Sequence, residues 1–434
     1  MKATLFTLIL ITACFTSSFA QYETSAFNVN GIKVIFKPTV KNMVSVRVYF
    51  RGGVSNYNAQ QAGIEKLTLE AVTKCGTTKH TADQFKDIAD YYDIDLSSTA
   101  EYDYGAIGMS CISKYFDKGW DLLADAVNNP VFNERELKLV KNKMIADIKQ
   151  TESSPDKHIE QLTLKNAFEG TAYATDPDGT EETIPALNAE DLKKYYTTLL
   201  NKNKMFIVIA GKITKDEIIA KVSAAFGNIP ALPYEEAVLK EPLWKDNKLV
   251  SEQRNLSTNY INGVLNAPVM TSPDFIPFRL GTSVLGGVLF SEIRTKRNLS
   301  YAPGAYSTNL RMPYAVMYVS TTNPAEAVSI MTNQLNRVKK LIVSNRALNE
   351  MKSSYITNNY KKLQSSSAIT SNLGLAEIMG GWNFFEIAPN MLEQVTAEQI
   401  AQVMQKYIVG VRWSYLGDEN QAKAATEAFN MAVK

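Results

Sequence analysis

The sequence predicts an α/β protein, α+β in its layering, built as two copies of one unit. Three observations carry this. At 434 residues the chain is too long for one ordinary core and suits two units of about 200 residues each. Strand-like and helix-like patterns alternate along it. The patterns of the first half recur in the second at a nearly constant offset.

Taken in order, Ile32-Lys-Val-Ile-Phe36 and Val44 to Phe50 read as two strands, broken by Pro38 and closed by Gly52-Gly53. Gly63 starts a helix with Ile64, Leu67, Ala71 and Val72 on one face, ending near Cys75. Thr81 with Gln84 forms a capping box, opening a helix that turns Phe85, Ile88 and Tyr92 inward. Tyr104 to Ile112 is a strand region. The following helix aligns Trp120, Leu123, Ala124 and Val127. After Pro130 a long helix keeps Leu137, Val140, Met144 and Ile148 in period until Pro155. The polar loop Asp176-Pro-Asp-Gly179 leads to a helix beginning near Ala189. Met205 to Gly211 is an apolar run short enough for a buried strand.

The repeat rests on four matches. Asn188-Ala-Glu-Asp-Leu192 pairs with Thr396-Ala-Glu-Gln-Ile400 at an offset of 208 residues. Leu137, Val140 and Met144 pair with Leu348, Met351 and Tyr355 at 211. The Cys75-Gly76 helix end falls opposite Leu285-Gly286 at 210. The Met205 to Gly211 strand falls opposite Trp413 to Gly417. One match is weak, but several at one offset are hard to produce by chance. The expected division is 1–20 as signal peptide, 21–229 and 248–434 as the two domains, and 230–247, rich in Pro, Glu and Lys, as linker.

Composition narrows the function. Hydrophobic content of 45% and charged content of 21% are those of a soluble globular protein. A net charge of +2 without basic clusters argues against a nucleic-acid partner. Lys2 followed by an apolar run through Ala13 reads as a signal peptide, with Ser18-Phe19-Ala20 as cleavage site, so export to a bacterial periplasm is expected. The alternative is a lipobox, Ile11-Thr-Ala-Cys14, with the protein anchored through Cys14. No later stretch is long and apolar enough for a transmembrane anchor. Cys75 and Cys111 make no disulfide framework, and a bridge between them is not expected.

The most informative stretch runs from Leu285 to Tyr306. Gly286 and Gly287 open it, a short turn of helix carries Arg294, and Tyr301 follows seven residues later where the chain leaves for a strand. Arg offers a fixed fork of donors and Tyr a neutral hydroxyl, a combination suited to holding a peptide carbonyl and the oxyanion made from it. Taken locally, the pair reads equally well as a solvated helix arginine and a core aromatic. The stretch resembles the arginine-tyrosine motif of the M16 peptidases, the insulinase or pitrilysin type that includes mitochondrial-processing-peptidase-like proteins. The duplicated layout, Thr171 to Gly179 with Glu182, and Asn188 to Gly211 extend the resemblance over nearly the whole mature chain. It implies two domains, each a mostly antiparallel sheet packed with helices, and a substrate-binding role for Gly286 and Gly287. One departure is a shortened glycine loop, Gly287-Val-Leu-Phe290.

Active members of that family carry His-x-x-Glu-His on the first-domain helix, two zinc ligands one turn apart with a glutamate base between them. Here the matching positions hold Lys66, Leu69 and Glu70. A protonated lysine cannot ligate zinc, and leucine can be neither ligand nor base. The family's further glutamate ligand falls in a window, Val140 to Asp147, whose only carboxylate is Asp147. The chain's two histidines, His80 and His158, read as a loop residue before the Thr81 cap and a polar residue beside a helix start. The resemblance therefore implies a chain that binds no metal and is not a peptidase by itself. It implies a partner subunit that lends Arg294 and Tyr301 to a zinc-bearing homologue acting on unfolded peptides. The alternative is a non-catalytic peptide-binding or assembly protein using the same shell.

Overall fold

The computed structural model describes residues 23–240, 242–341 and 343–434. The expected signal peptide and Cys14 lie outside them. The first half opens with strands β1 (Ser25–Val29), β2 (Ile32–Pro38) and β3 (Met43–Arg51), then helices α1 (Ile64–Lys74) and α2 (Ala82–Tyr91). The hairpin β4 (Asp95–Ala100) and β5 (Tyr104–Ile112) follows, then α3 (Phe116–Asn128), α4 (Glu134–Ser153) and α5 (Pro155–Ala167). The short α6 (Thr183–Ala186), α7 (Ala189–Leu199), β6 (Met205–Gly211) and α8 (Lys215–Phe226) complete it. The second half runs β7 (Lys248–Gln253), β8 (Asn259–Asn266), α9 (Phe275–Leu289), β9 (Gly304–Ser307), β10 (Tyr314–Thr321) and α10 (Pro324–Val338). It continues with α11 (Asn345–Lys361), α12 (Ser366–Met379), α13 (Phe384–Glu393), α14 (Ala397–Tyr407), β11 (Arg412–Gly417), α15 (Glu419–Ala424) and α16 (Thr426–Phe429).

Local chemistry accounts for many of these limits. The Thr81 hydroxyl accepts from the Gln84 amide while the Gln84 side chain accepts from the Thr81 amide. Asn188 and Thr396 build the same reciprocal cap at the starts of α7 and α14. Each cap is worth about 1 kcal/mol. Pro155 opens α5 at its first position, where a missing N–H costs nothing. Gly76, with φ of 84°, lets the chain turn out of α1.

Sheet order reveals the duplication. The first sheet is β1-β2-β6-β3-β5-β4 and the second β7-β11-β8-β10-β9. Without β1, which the sequence reading did not include, the orders correspond strand for strand. In each, one parallel pair, β2 with β6 or β7 with β11, sits among antiparallel neighbours. Three of the four sequence matches fall on equivalent elements: α7 with α14, α4 with α11, and β6 with β11. The fourth falls on equivalent helices too, α1 and α9, but not on two helix ends. α1 stops at Lys74, whereas α9 continues through Leu285-Gly286 to Leu289.

Each half covers the other. On the first sheet Val34, Val46, Val48, Ile207 and Ile209 face their own helices. Residues of opposite parity, Ile35, Tyr49, Phe206 and Val208, join a core that includes Ile369 and Leu373 of α12. A small and polar stripe on α12 meets that face. Ser366 donates to the Met43 carbonyl at 2.8 Å, Thr370 lies 3.1 Å from the Ser45 hydroxyl, and Tyr49 donates to the Thr370 carbonyl at 3.1 Å. Glu377 ends the stripe, 2.8 Å from Lys33 and 2.6 Å from Arg51. Reciprocally α5 lies on the second sheet, where Asn262 donates to Thr163 at 3.0 Å and Asn166 to the Trp413 carbonyl at 3.1 Å. Sheets buried on both faces give strands that read as continuous apolar runs, as Met205 to Gly211 does.

Between the halves, residues 230–240 and 242–247 form neither helix nor strand. Trp244 anchors the segment, donating from Nε1 to the Ala167 carbonyl at 3.2 Å and packing on Phe168. Cys75 and Cys111 are separate, buried thiols, and burial pushes them up to about 12 and about 11.

Candidate functional site

The glycine pair does not open the helix that carries Arg294. It lies inside α9, which passes directly into a π-helical turn, Phe290–Thr295. A side chain on Gly286 would place its Cβ 2.9 Å from the Ala305 carbonyl oxygen, so this position brings α9 against β9. Gly287 faces open space.

Two residues that the sequence reading passed over hold this turn. Glu292 is buried and accepts from Lys296 at 2.6 Å and Arg297 at 2.7 Å. Those hydrogen bonds hold its carboxyl down at about 2. Asn298 ends the helix in a left-handed conformation, φ 53°. Its amide donates to the Arg294 carbonyl at 3.1 Å, and that of Leu299 to Ile293 at 3.0 Å, a nested double closure one residue wider than a Schellman motif, as the π-helical turn before it requires. The Asn298 side chain also accepts from Arg294 Nη1 at 2.6 Å. The guanidinium, fixed on that side, lies 4.8 Å over the ring of Tyr301. Tyr301 is 78% exposed, so the pair is neither a loose surface arginine nor a core aromatic. The signal for Asn298 was its spacing of four from Arg294, with αL-tolerant chemistry at a helix end.

The positions matching the zinc motif lie on α1. Gly63, φ 84°, precedes it where a Cβ would come within 2.5 Å of Ile184 Cδ1. Lys66 is ion-paired to Asp178 at 2.7 Å, Glu70 is paired with Lys74, and Leu69 is 0% exposed in the core. Lys66, Glu70 and Asp178, with Ser98, Thr99 and Ala100 of β4 and Glu101 after it, line a cavity of about 200 Å³. Burial, and next the Asp178 charge, raise the Glu101 carboxyl above the usual range. On α4 the lone Asp147 points to Lys143 at 2.5 Å. This donor set does not fit zinc: an ammonium stands where a ligand is needed, the base position is in the core, and two carboxylates are tied to lysines. Among the described residues no three His, Cys, Asp or Glu side chains lie together in a way that could hold a metal ion.

The histidines are elsewhere. His80 belongs to the turn before Thr81, its carbonyl accepting from the Thr77 amide at 2.8 Å. His158 does more than its expected place beside a helix start. It lies within α5 and bridges to the other half, its Nε2 2.9 Å from Glu252 of β7 and 3.3 Å from Arg254. Although burial pushes the Glu252 carboxyl up, hydrogen bonds from His158 and Arg254 hold it below its ordinary value.

Comparison with known proteins agrees with this layout. Residues 33–179 match the insulinase (peptidase family M16) model, and residues 186–355 match the peptidase M16 inactive domain. The chain is 25% identical to the non-peptidase homolog YmxG of Helicobacter pylori over 68% of either chain. Among solved structures it is similar to a peptidase M16 inactive domain from Pseudomonas fluorescens, with a TM-score of 0.81 and 21% identity over 91% of this chain and 98% of that one. It is also similar in fold to the periplasmic protease PqqL of Escherichia coli, with a TM-score of 0.77 and 15% identity over 91% of this chain and 46% of PqqL. The chain thus belongs to the M16 peptidase family.

Proposed function

We propose that this chain is the zinc-free partner subunit of an exported M16-type metallopeptidase. Its two domains, 21–229 and 248–434 joined by 230–247, would close with a zinc-bearing homologue around a shared chamber. The observation that carries this reading is the contrast between the two sites. The Arg294-Tyr301 pair is held by Asn298 and open to solvent, while Lys66, Leu69 and Glu70 are committed to ion pairs and core. An unfolded peptide would lie as an added strand on the partner's sheet. The Tyr301 hydroxyl would donate to the scissile carbonyl oxygen as negative charge develops, and Arg294 would orient Tyr301 and the peptide backbone. Gly286 and Gly287 would line the substrate's path, Gly287 being the one with open space before it. The charged and apolar start of the sequence, and a periplasmic protease among proteins of similar fold, support export.

A second reading, a non-catalytic peptide-binding or assembly protein, is favoured by one observation. The glycine pair is absorbed into α9 and forms no loop. Co-expression with the nearest zinc-motif homologue from the same genome separates the two. Size-exclusion chromatography and a quenched-peptide assay would be run on each protein alone and on the mixture. Activity confined to the mixed peak is the expected result. A zinc homologue fully active alone, without co-elution, moves the assignment to the second reading.

A further inference from the structure

A cavity of about 420 Å³ lies between α9, α11 and α12, away from both the Arg294-Tyr301 pair and the zinc-motif positions. Its size is that of a small-ligand site. Among the described residues three cations line it, Arg279, Lys361 and Lys362, and no carboxylate does. Among the described residues none of the three has an ion-pair partner. Arg279 is nevertheless fixed: it donates to the Asn309 side chain and packs over the rings of Phe275, at 5.4 Å, and Tyr355, at 6.0 Å. Lys361 and Lys362 are exposed overall, and partial desolvation first and the nearby Arg279 second hold the Lys362 ammonium below its ordinary range. Like charges held together without an anion are costly unless a ligand supplies one. Met270, Phe275 and Leu375 make the apolar part of the wall.

The cavity does not end there. Arg279, Tyr355 and Asn358 also line a neighbouring hollow of about 550 Å³ that reaches Ala305, Tyr306 and Ser307 of β9. Among the described residues β9 is the last strand of its sheet and pairs only with β10, so one side of its backbone has no strand of theirs beside it.

We propose that this paired cleft captures the C-terminus of an extended peptide, the free carboxylate on Arg279, Lys361 and Lys362 and an apolar last side chain against Phe275 and Leu375. The preceding residues run through the neighbouring hollow toward β9. The guanidinium provides a planar fork for the carboxylate and the lysines provide point charges. This rests on the peptide-binding reading above and adds an anchor for one end of the chain, distinct from the residues that face the scissile bond.

The test uses the full chain alone and the fluorescein-labelled peptide Gly-Ser-Val-Thr-Val-Leu, as free acid and as C-terminal amide, followed by fluorescence anisotropy. The acid is expected to bind at least about tenfold more tightly than the amide, the scale of a charge-assisted contact. Lys362→Gln and, separately, Arg279→Gln should weaken the acid and leave the amide unchanged. Melting temperatures identify a variant that fails to fold, and the acid-amide comparison on the unmodified chain needs no variant. N-acetyl-leucine should displace the acid, whereas displacement by inorganic phosphate alone would overturn the assignment to a peptide terminus. Equal binding of acid and amide overturns the anchor and leaves peptide binding intact. Binding of neither, with hydrolysis by the mixed complex preserved, also overturns the anchor and spares the proposed function.

Discussion

Leu69, read as the position of the motif's base, belongs to the core. The side chain is fully buried, so a carboxylate there would enter an apolar environment with no cation prepared for it. Installing Lys66→His, Leu69→Glu and Glu70→His together should therefore restore the motif's letters without its function. We expect a loss of about 3–5 kcal/mol, the range for an uncompensated buried charge, in urea unfolding, and no zinc retained after dialysis. Stoichiometric zinc with unchanged stability would contradict this. Glu292 gives a second test. Its folded-state value of about 2 is below the ordinary 4.5, so the stability it contributes is present above pH 4.5 and lost as pH falls toward 2. Glu292→Gln should accordingly lower the melting temperature at pH 6, with the difference from the native chain shrinking toward pH 2. A difference that persists at the acid end would show that Glu292 acts through packing alone.

Among the elements, α12 shows what the sequence could and could not tell. Gly374 faces Tyr49, and a Cβ there would lie 2.1 Å from the ring. Tyr49 cannot retreat, because Phe206 stacks on it at 4.8 Å. Gly374→Ala should cost about 1–3 kcal/mol, the scale of overpacking, seen as a lower urea midpoint; an unchanged midpoint would contradict the packing account. The caps at Thr81 and the strand at Met205 to Gly211 were legible because their signals are local: a hydroxyl three residues from a glutamine, or an apolar run of strand length. The role of α12 was not. Its partners, Ser45, Tyr49, Lys33 and Arg51, lie more than three hundred residues away, and its inward stripe of Ser366, Thr370 and Gly374 has no apolar period to reveal it. His158 was missed for the same reason, since Glu252 and Arg254 meet it only across the halves. At the candidate site, Arg294 and Tyr301 were singled out by their resemblance to the family's arginine-tyrosine motif, since their local chemistry alone fits a solvated arginine and a core aromatic equally well. Asn298, which fixes the arginine, is an ordinary helix-ending residue until its φ is known.

For the whole molecule, the exchange of α5 and α12 means that neither sheet has both faces covered by its own half. The two halves should unfold in one cooperative transition in urea, with tryptophan fluorescence and far-ultraviolet circular dichroism coinciding. Two separated transitions would show that the halves are independent despite their crossed helices. Under the proposed function the two halves differ: one carries the helix on which Lys66 is ion-paired and Leu69 buried, the other an open, supported Arg294-Tyr301 pair. The central claim is that this pair serves a partner's active site. It is tested most directly by Tyr301→Phe in the complex with the zinc-bearing homologue, which removes one hydroxyl and leaves the ring under Arg294. A fall in kcat of about 10²–10³-fold with the complex intact is predicted, the scale of a lost transition-state donor. Peptide hydrolysis at the native rate would contradict it.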